Sequence, residues 1–241
     1  MDHETLELLA GLSHELRTPL GAIAGYAELL RLGAHGPLPD AQLELLGRII
    51  RNQQSAVEIL DAVLAYATAS TGALTLHAVD APLVALLQRA TAECASLAAQ
   101  RDLTLLLPDE ATDPAVGTLS IHADGAAAHV VLTALLRAAM VGATIGESIA
   151  LTVSATEDLV SVEVLHASRG TVAGQAESVF TPFARGHAQS FVSGDMDALA
   201  LPRARALARA SGGDVVAVVE DGQRVLRLSL PRAAATVPAA G

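Results

Sequence analysis

The residues best suited to chemistry lie near the start of the chain, in the run Ser13-His-Glu-Leu-Arg-Thr-Pro-Leu20. His14 is the candidate nucleophile, because a neutral imidazole offers a ring-nitrogen lone pair near neutral pH. Glu15 follows directly and can accept a proton from the other ring nitrogen. Thr18 comes four residues after the histidine, which on a helix is one turn along the same face. The run therefore predicts nucleophilic and acid–base chemistry around His14.

The residues around this run predict a surface that another protein can approach. Pro19 has no N–H, so it frees the carbonyl of Glu15 and is expected to bend the helix near the histidine. Gly21 and Gly25 extend the same face, although each glycine costs about 1 kcal/mol relative to alanine in a helix interior. Without side chains they leave the face open. The predicted partner-binding residues are these two glycines, Gly21 and Gly25, and Arg17 of the acceptor run.

The apolar pattern predicts that a long helix carries this run. Between residues 5 and 32 the apolar positions, together with Ser13, recur at alternating steps of three and four, which is the heptad seam of packed helices. His14 lies beside the seam, so its ring is expected at the surface. Residues 33–40 are rich in Gly and Pro and end in Asp40, a plausible N-cap. A second seam follows over residues 43–64.

Two helices joined by a short loop form an antiparallel hairpin. Each helix also carries apolar residues beside its seam, a stripe too wide for one partner helix. The sequence therefore predicts that two hairpins pair as a dimeric four-helix bundle.

After residue 70 the pattern changes to short alternating segments interleaved with helices. The predicted strands lie at residues 73–77, 103–107, 118–123, 149–155, 159–165, 215–219 and 225–230. The predicted helices lie at residues 82–100, 126–141 and 198–210. This order indicates an α+β fold in which the hairpin precedes an α/β sandwich. The predicted boundaries are 1–70 for the hairpin, 71–232 for the sandwich and 233–241 for a flexible tail.

The run from Ser13 to Leu20 resembles the phosphoacceptor motif of bacterial two-component sensor histidine kinases, whose usual form is Ser-His-Glu-Leu-Arg-Thr-Pro-Leu. The resemblance implies that His14 is phosphorylated and that Glu15 is its acid–base partner. It also implies that Thr18 orients water when a phosphorylated partner is dephosphorylated. It extends over nearly the whole chain, as a dimerising hairpin followed by an ATP-binding sandwich of the histidine-kinase type.

The first nucleotide motif of that family is degenerate in this chain. The family pattern Asn-Leu-Leu-x-Asn-Ala-x-Lys aligns with Ala134-Leu-Leu-Arg-Ala-Ala-Met-Val141. Ala138 therefore stands at the magnesium-holding asparagine, and Val141 stands at the phosphate-contacting lysine. An alanine methyl cannot supply the hard oxygen ligand that Mg²⁺ requires.

The second and third nucleotide motifs are degenerate as well. His166 replaces the adenine-reading aspartate of Asp-x-Gly-x-Gly, and Ser168 replaces its first glycine. Ala198 and Ala200 stand at glycines of the third motif, where a Cβ removes backbone freedom that lets amides wrap phosphates. The phenylalanine box at residues 179–185 survives, which packing alone explains. The sequence therefore predicts that binding of ATP and Mg²⁺ is lost and that the chain has no cofactor.

Composition excludes several other functions. With 15 basic and 26 acidic side chains the formal charge is −11, which argues against nucleic-acid binding. The single cysteine, Cys94, excludes an internal disulfide and is predicted to be a small buried hydrophobe in a reducing cytoplasm. The other histidines lack metal-ligand spacing, so no metal site is predicted. The apolar stretch 127–146 contains Arg137 and is predicted to be a buried helix rather than a membrane span, in a cytoplasmic protein without a signal peptide.

An intact acceptor motif beside a degenerate nucleotide site predicts a homodimeric histidine phosphotransfer protein. It would take a phosphoryl group from the receiver domain of a response regulator onto His14 and pass it to another. Receivers carry their own aspartate and Mg²⁺, so this transfer needs no ATP. Three alternatives stay open: a receiver phosphatase that uses Thr18, a non-catalytic scaffold, and an ATP-dependent sensor kinase with an atypical pocket.

Overall fold

Two long helices form the first part of the chain. The computed structural model describes residues 3–34, 36–108, 114–167, 173–183 and 198–234. Helix α1 spans His3–Arg31 and helix α2 spans Asp40–Ser70. They pack against each other, which confirms the predicted hairpin. The prediction that Asp40 caps α2 is wrong, because Pro39 occupies the N-cap position and makes no side-chain cap, while Asp40 is the first helical residue.

The inside of the hairpin is lined by small side chains. The fully buried positions are Ser13, Ala27, Ala62, Ala67 and Ala69. Large apolar side chains stay exposed on the outer faces of the two helices, namely Leu8, Leu12, Leu16, Ile23, Tyr26, Leu29, Leu30, Leu45, Ile49 and Ile59. Three residues at positions of the predicted heptad seam, Leu16, Ile23 and Leu30, belong to this exposed set. One partner helix covers only part of the apolar stripe.

The second part of the chain is an α/β sandwich, as predicted. Its five-stranded sheet has the order β2 (Thr104–Leu106), β4 (Ser148–Ala155), β5 (Leu159–Ala167), β7 (Gln223–Pro231), β6 (Asp214–Glu220). Strand β2 runs parallel to β4, and the other neighbours are antiparallel. A small second sheet pairs β1 (Val79–Pro82) with β3 (Ser120–Ala123). The two predicted hairpins, β4–β5 and β6–β7, are therefore confirmed.

Three long helices pack in the sandwich. They are α3 (Leu83–Gln100), α5 (Gly125–Gly142) and α6 (Ala200–Ala210). A short helix α4 (Pro114–Gly117) and a 3₁₀-helix (Ala173–Phe180) complete the described elements. Helix α5 is central, since it packs on α3, α6 and β5. The chain divides into two compact units, Met1–Ala73 and Leu74–Gly241.

Helix α5 also explains the apolar stretch noted in the sequence. Among the described residues it is the helix that is long and apolar enough to cross a membrane by length and composition. However, 56% of it is buried within the fold, which is typical of the core helix of a globular domain.

The predicted strand at residues 73–77 is wrong. Residues 73–78 form neither helix nor strand, and the strand begins at Val79, where it pairs with Ala123 of β3. The backbone N–H of His77 instead donates to the carboxylate of Asp124 at 3.0 Å. This hydrogen bond connects residue 77 to the N-cap of α5 and not to a neighbouring strand.

Replacing Asp124 with alanine is expected to lower the free energy of unfolding by about 1–2 kcal/mol, the usual cost of losing an N-cap. Its carboxylate accepts hydrogen bonds from the backbone N–H groups of Ala126 and Ala127 at 2.9 and 3.0 Å, besides that of His77. The bonds from Ala127 and His77 are the main reason that its pKa lies below the usual range. Urea unfolding measures the loss.

The matched control is Asp124→Asn, which keeps an oxygen acceptor and is expected to cost less than the alanine variant. Because the folded state depresses the pKa of this carboxyl, its contribution is present at neutral pH and disappears as the pH falls through the folded pKa. An alanine variant as stable as the wild type would contradict the capping role.

Candidate functional site

The predicted phosphoacceptor lies on the open face of α1. The side chain of Ser13 is buried inside the hairpin, whereas His14, Glu15 and Thr18 are all exposed. The heptad seam predicted this arrangement, because a residue next to an inward position points outward. In the described part of the chain His14 makes no side-chain hydrogen bond. Its imidazole is therefore free to meet a group brought by a second molecule.

Two glycines lie on the helix face that runs from His14 through Thr18. Helix α1 continues through Pro19, so the proline does not end it. Gly21 and Gly25 are exposed, and a Cβ built on either would meet no atom within 4 Å. Packing within this hairpin therefore does not require glycine at either position. Their roles in partner binding stay a prediction.

Arg17 has a partner that sequence reasoning missed. Its guanidinium donates to the carboxylate of Asp61 on α2, forming an ion pair across the hairpin. The two side chains are 44% and 52% exposed. The register of α1 against α2 creates this pair. No spacing rule in the sequence points to Asp61.

The positions of the first nucleotide motif lie on α5. Ala138 is only 1% exposed, while Ala134 and Val141 are half-buried. The methyl group of Ala138 therefore fills a place in the core and offers no oxygen to a cation. The structure puts no polar side chain at any of these three positions.

The second motif position, His166, is deeply buried at the end of β5. It pairs in register with Arg224 of β7, and the two residues are only 2% and 4% exposed. The Nδ1 atom of His166 has no hydrogen-bond partner among the described residues. Burial, and then the positive charge of Arg224, lower the pKa of His166 to about 4, against an opposing effect of Glu147. The imidazole is therefore neutral at pH 7.

Arg224 is the second residue that sequence reasoning missed. Burial lowers the pKa of its guanidinium, and the charge of Glu147 partly offsets this effect. A signal was present in the sequence, since Arg224 lies just before the predicted strand 225–230 and at an even spacing from Leu226 and Leu228, which are buried in β7. The pattern did not show that it would stand opposite His166.

The remaining motif positions lie close in sequence to the residues that the structure does not describe. Ala198 is exposed and Ala200 begins α6, whereas Ser168 lies outside the described residues. In the phenylalanine box Phe180 is buried beneath the guanidinium of Arg205, 4.6 Å from its ring centroid. Phe183 is instead 54% exposed with a positive φ of 54°, so packing explains only part of the box.

Two further predictions concern the single cysteine and the metal-ligating side chains. Cys94 is buried, as predicted, and burial raises the pKa of its thiol. In the described ranges no group of three or more His, Cys, Asp or Glu side chains lies together as metal ligands would.

Comparison with known proteins shows which proteins this chain is similar to. Residues 5–72 match the model of the His Kinase A (phospho-acceptor) domain. The chain is 28% identical over 229 residues to the probable sensor histidine kinase TcrY of Mycobacterium tuberculosis, covering 93% of this chain and 45% of TcrY. It is also 28% identical over 234 residues to the sensor protein KdpD of Escherichia coli, covering 93% of this chain and 24% of KdpD. The chain thus spans less than half the length of these curated relatives.

Solved structures show the same fold. Full-length ShkA in complex with AMPPNP matches with a TM-score of 0.74 at 23% identity, over 95% of this chain and 46% of ShkA. Histidine kinase ThkA, in complex with the response regulator protein TrrA, matches with a TM-score of 0.61 at 18% identity, over 94% of this chain and 61% of that one.

The helical hairpin with its exposed histidine and the α/β sandwich that follows it have the fold of the catalytic core of two-component sensor histidine kinases. Residues 5–72 are a His Kinase A domain, and the resemblance of the chain to the catalytic core of a sensor histidine kinase is confirmed.

Proposed function

We propose that the chain is a phosphotransfer protein of the histidine-kinase type in which His14 carries a phosphoryl group to and from receiver domains of response regulators, without using ATP. The observation that carries this proposal is the exposure of His14 beside the buried Ser13, within an unbroken acceptor motif. The acceptor is accessible, and a receiver brings the phosphoryl group and the metal.

The proposed transfer is a displacement at phosphorus. A ring nitrogen of neutral His14 attacks the phosphorus of the receiver's aspartyl phosphate, and a P–N bond forms as the P–O bond to the aspartate breaks. The aspartate leaves as a carboxylate. Glu15 accepts a hydrogen bond from the other ring nitrogen and so stabilises the positive charge that develops on the ring. The reverse displacement passes the group to a second receiver.

Charge and packing at the degenerate motifs support the loss of ATP binding. The carboxylate that would accept a hydrogen bond from the adenine amino group is replaced by a buried imidazole beside the guanidinium of Arg224. The magnesium ligand is replaced by the buried methyl of Ala138. Without the metal, little compensates the triphosphate charge, and the net charge of −11 adds repulsion.

Titration of the whole chain with ATP and MgCl₂ in a calorimeter is expected to give no binding heat up to millimolar nucleotide. The relatives named above are sensor kinases, and the ShkA structure contains a nucleotide analogue, so an active sensor kinase serves as the positive control. Micromolar affinity in this chain would overturn the proposal that the pocket is lost and would favour an ATP-dependent kinase.

We also propose that the hairpins of two copies pair. The exposed apolar residues on both helices, such as Leu8, Leu12, Ile49 and Ile59, form stripes that one hairpin does not cover. Burying them against a second copy is favourable by about 25 cal/mol per Å² of apolar area.

The direct test of the transfer is incubation with a receiver labelled on its aspartyl phosphate, in the presence and absence of ATP. Label is expected on this chain in both conditions. Transfer that requires ATP, or no transfer from any receiver, would rule the proposed function out.

A further inference from the structure

The ion pair between Arg17 and Asp61 lies beside the proposed acceptor. Arg17 follows His14 by three residues on α1, and residues at this spacing are neighbours on a helix surface. Its guanidinium donates across the hairpin to Asp61 of α2. The cation nearest in sequence to His14 is therefore held by a carboxylate of the other helix.

This pair is weak enough to be exchanged. Both side chains are about half exposed, at 44% and 52%, and ion pairs between exposed side chains contribute only about 0–1 kcal/mol. A phosphoryl group has more negative charge than one carboxylate and offers three strong acceptor oxygens. Bonds from a guanidinium to such a group are among the strongest charge-assisted hydrogen bonds in proteins.

We propose that phosphorylation of His14 draws Arg17 away from Asp61 and onto the phosphoryl group, so that Arg17 binds the phosphoryl group and Asp61 acts as a positioning residue that competes for it. This inference rests on the proposed function, in which His14 is the phosphorylated residue. It assigns Arg17 a role within the chain, in place of the predicted contact with a partner. Competition by Asp61 weakens the hold on the phosphoryl group and favours its onward transfer.

A chemical donor tests the exchange without any receiver. Phosphoramidate phosphorylates accessible histidines of the full chain, and the His14→Ala variant identifies the ³¹P resonance of phospho-His14. Titration of that resonance reports the proton affinity of the phosphoryl group. Asp61→Asn is expected to lower this affinity about fivefold by releasing Arg17, and Arg17→Ala is expected to raise it by a similar factor.

A double-variant comparison separates this mechanism from a general charge effect. In the Arg17→Ala background, Asp61→Asn is expected to change the proton affinity by less than about twofold, because no guanidinium is left to release. Arg17→Lys should restore part of the effect. Glu28→Gln is the matched control, since Glu28 pairs with Arg31 on the same helix, far from His14, and should change nothing.

Three results would overturn the proposal: independent effects of the two substitutions, no change with Asp61→Asn, or failure of phosphoramidate to modify His14. The proposed function has a separate test. If the variants show the coupling but no receiver transfers its phosphoryl group, the transfer function is wrong while the exchange of Arg17 stands.

Discussion

Replacing His14 with alanine is expected to abolish acceptance of phosphate from a labelled receiver, reducing label on this chain to background. Alanine has no lone pair to attack phosphorus, and no neighbouring side chain of α1 is a comparable nucleophile at neutral pH. Phosphate-affinity electrophoresis or a radiolabelled receiver measures the loss. The effect is the largest expected for any single substitution, because it removes the atom that forms the new bond.

The matched control is His122→Ala. His122 is also an exposed histidine, but it lies on β3, where it pairs with Asp80, and its removal is expected to leave transfer unchanged. Label that persists on the His14→Ala variant would show that another residue is the acceptor. If His14→Ala leaves every effect of the chain on its receiver unchanged, the chain is a scaffold rather than a phosphotransfer protein.

Acidification is expected to destabilise the sandwich by up to about 3 kcal/mol between pH 7 and pH 4 through His166 alone. The folded pKa of about 4 lies below the ordinary value of 6.5, so between these pH values the unfolded chain binds more protons than the folded one. Stability from this group is therefore complete above about pH 6.5 and is lost as the pH falls toward 4. The physical cause is that a protonated imidazole would be buried beside Arg224.

Hydrogen exchange of backbone amides in β5 is the suitable measurement, because both tyrosines, Tyr26 and Tyr66, lie in the hairpin and report only that unit. His166→Gln keeps a polar side chain that does not titrate. The protection of the β5 amides against hydrogen exchange should therefore fall less between pH 6.5 and 4 in this variant than in the wild type. His122→Gln changes an exposed histidine and should keep the wild-type dependence. Equal pH dependence in wild type and His166→Gln would show that His166 is not the group responsible.

Structural features that depend on a short periodic pattern of apolar residues were predictable from the sequence. A heptad spacing describes one face of a helix, so the hairpin and the exposure of His14 beside Ser13 followed from local order along the chain. Alternation with a period of two identified the β4–β5 and β6–β7 hairpins in the same way. The acceptor motif needed no tertiary information, because all eight of its residues are consecutive.

The two wrong predictions, the strand at residues 73–77 and the N-cap at Asp40, also have physical causes. Alternation over residues 73–77 predicted a strand, but a strand exists only where another strand accepts its hydrogen bonds. The amide of His77 is instead taken by Asp124. Asp40 was a plausible cap by residue type, whereas the loop geometry places Pro39 there.

The sequence by itself was enough to show the resemblance to a sensor-kinase core and to propose His14 as the acceptor, and it predicted that the usual polar groups are missing at the nucleotide positions. Only the tertiary structure decided which charges meet: Arg17 with Asp61, and His166 opposite Arg224. Periodicity reports which way a side chain points relative to its own helix or strand. It carries no information on the register between segments distant in the chain, which is set by loop geometry and by the packing of the whole core.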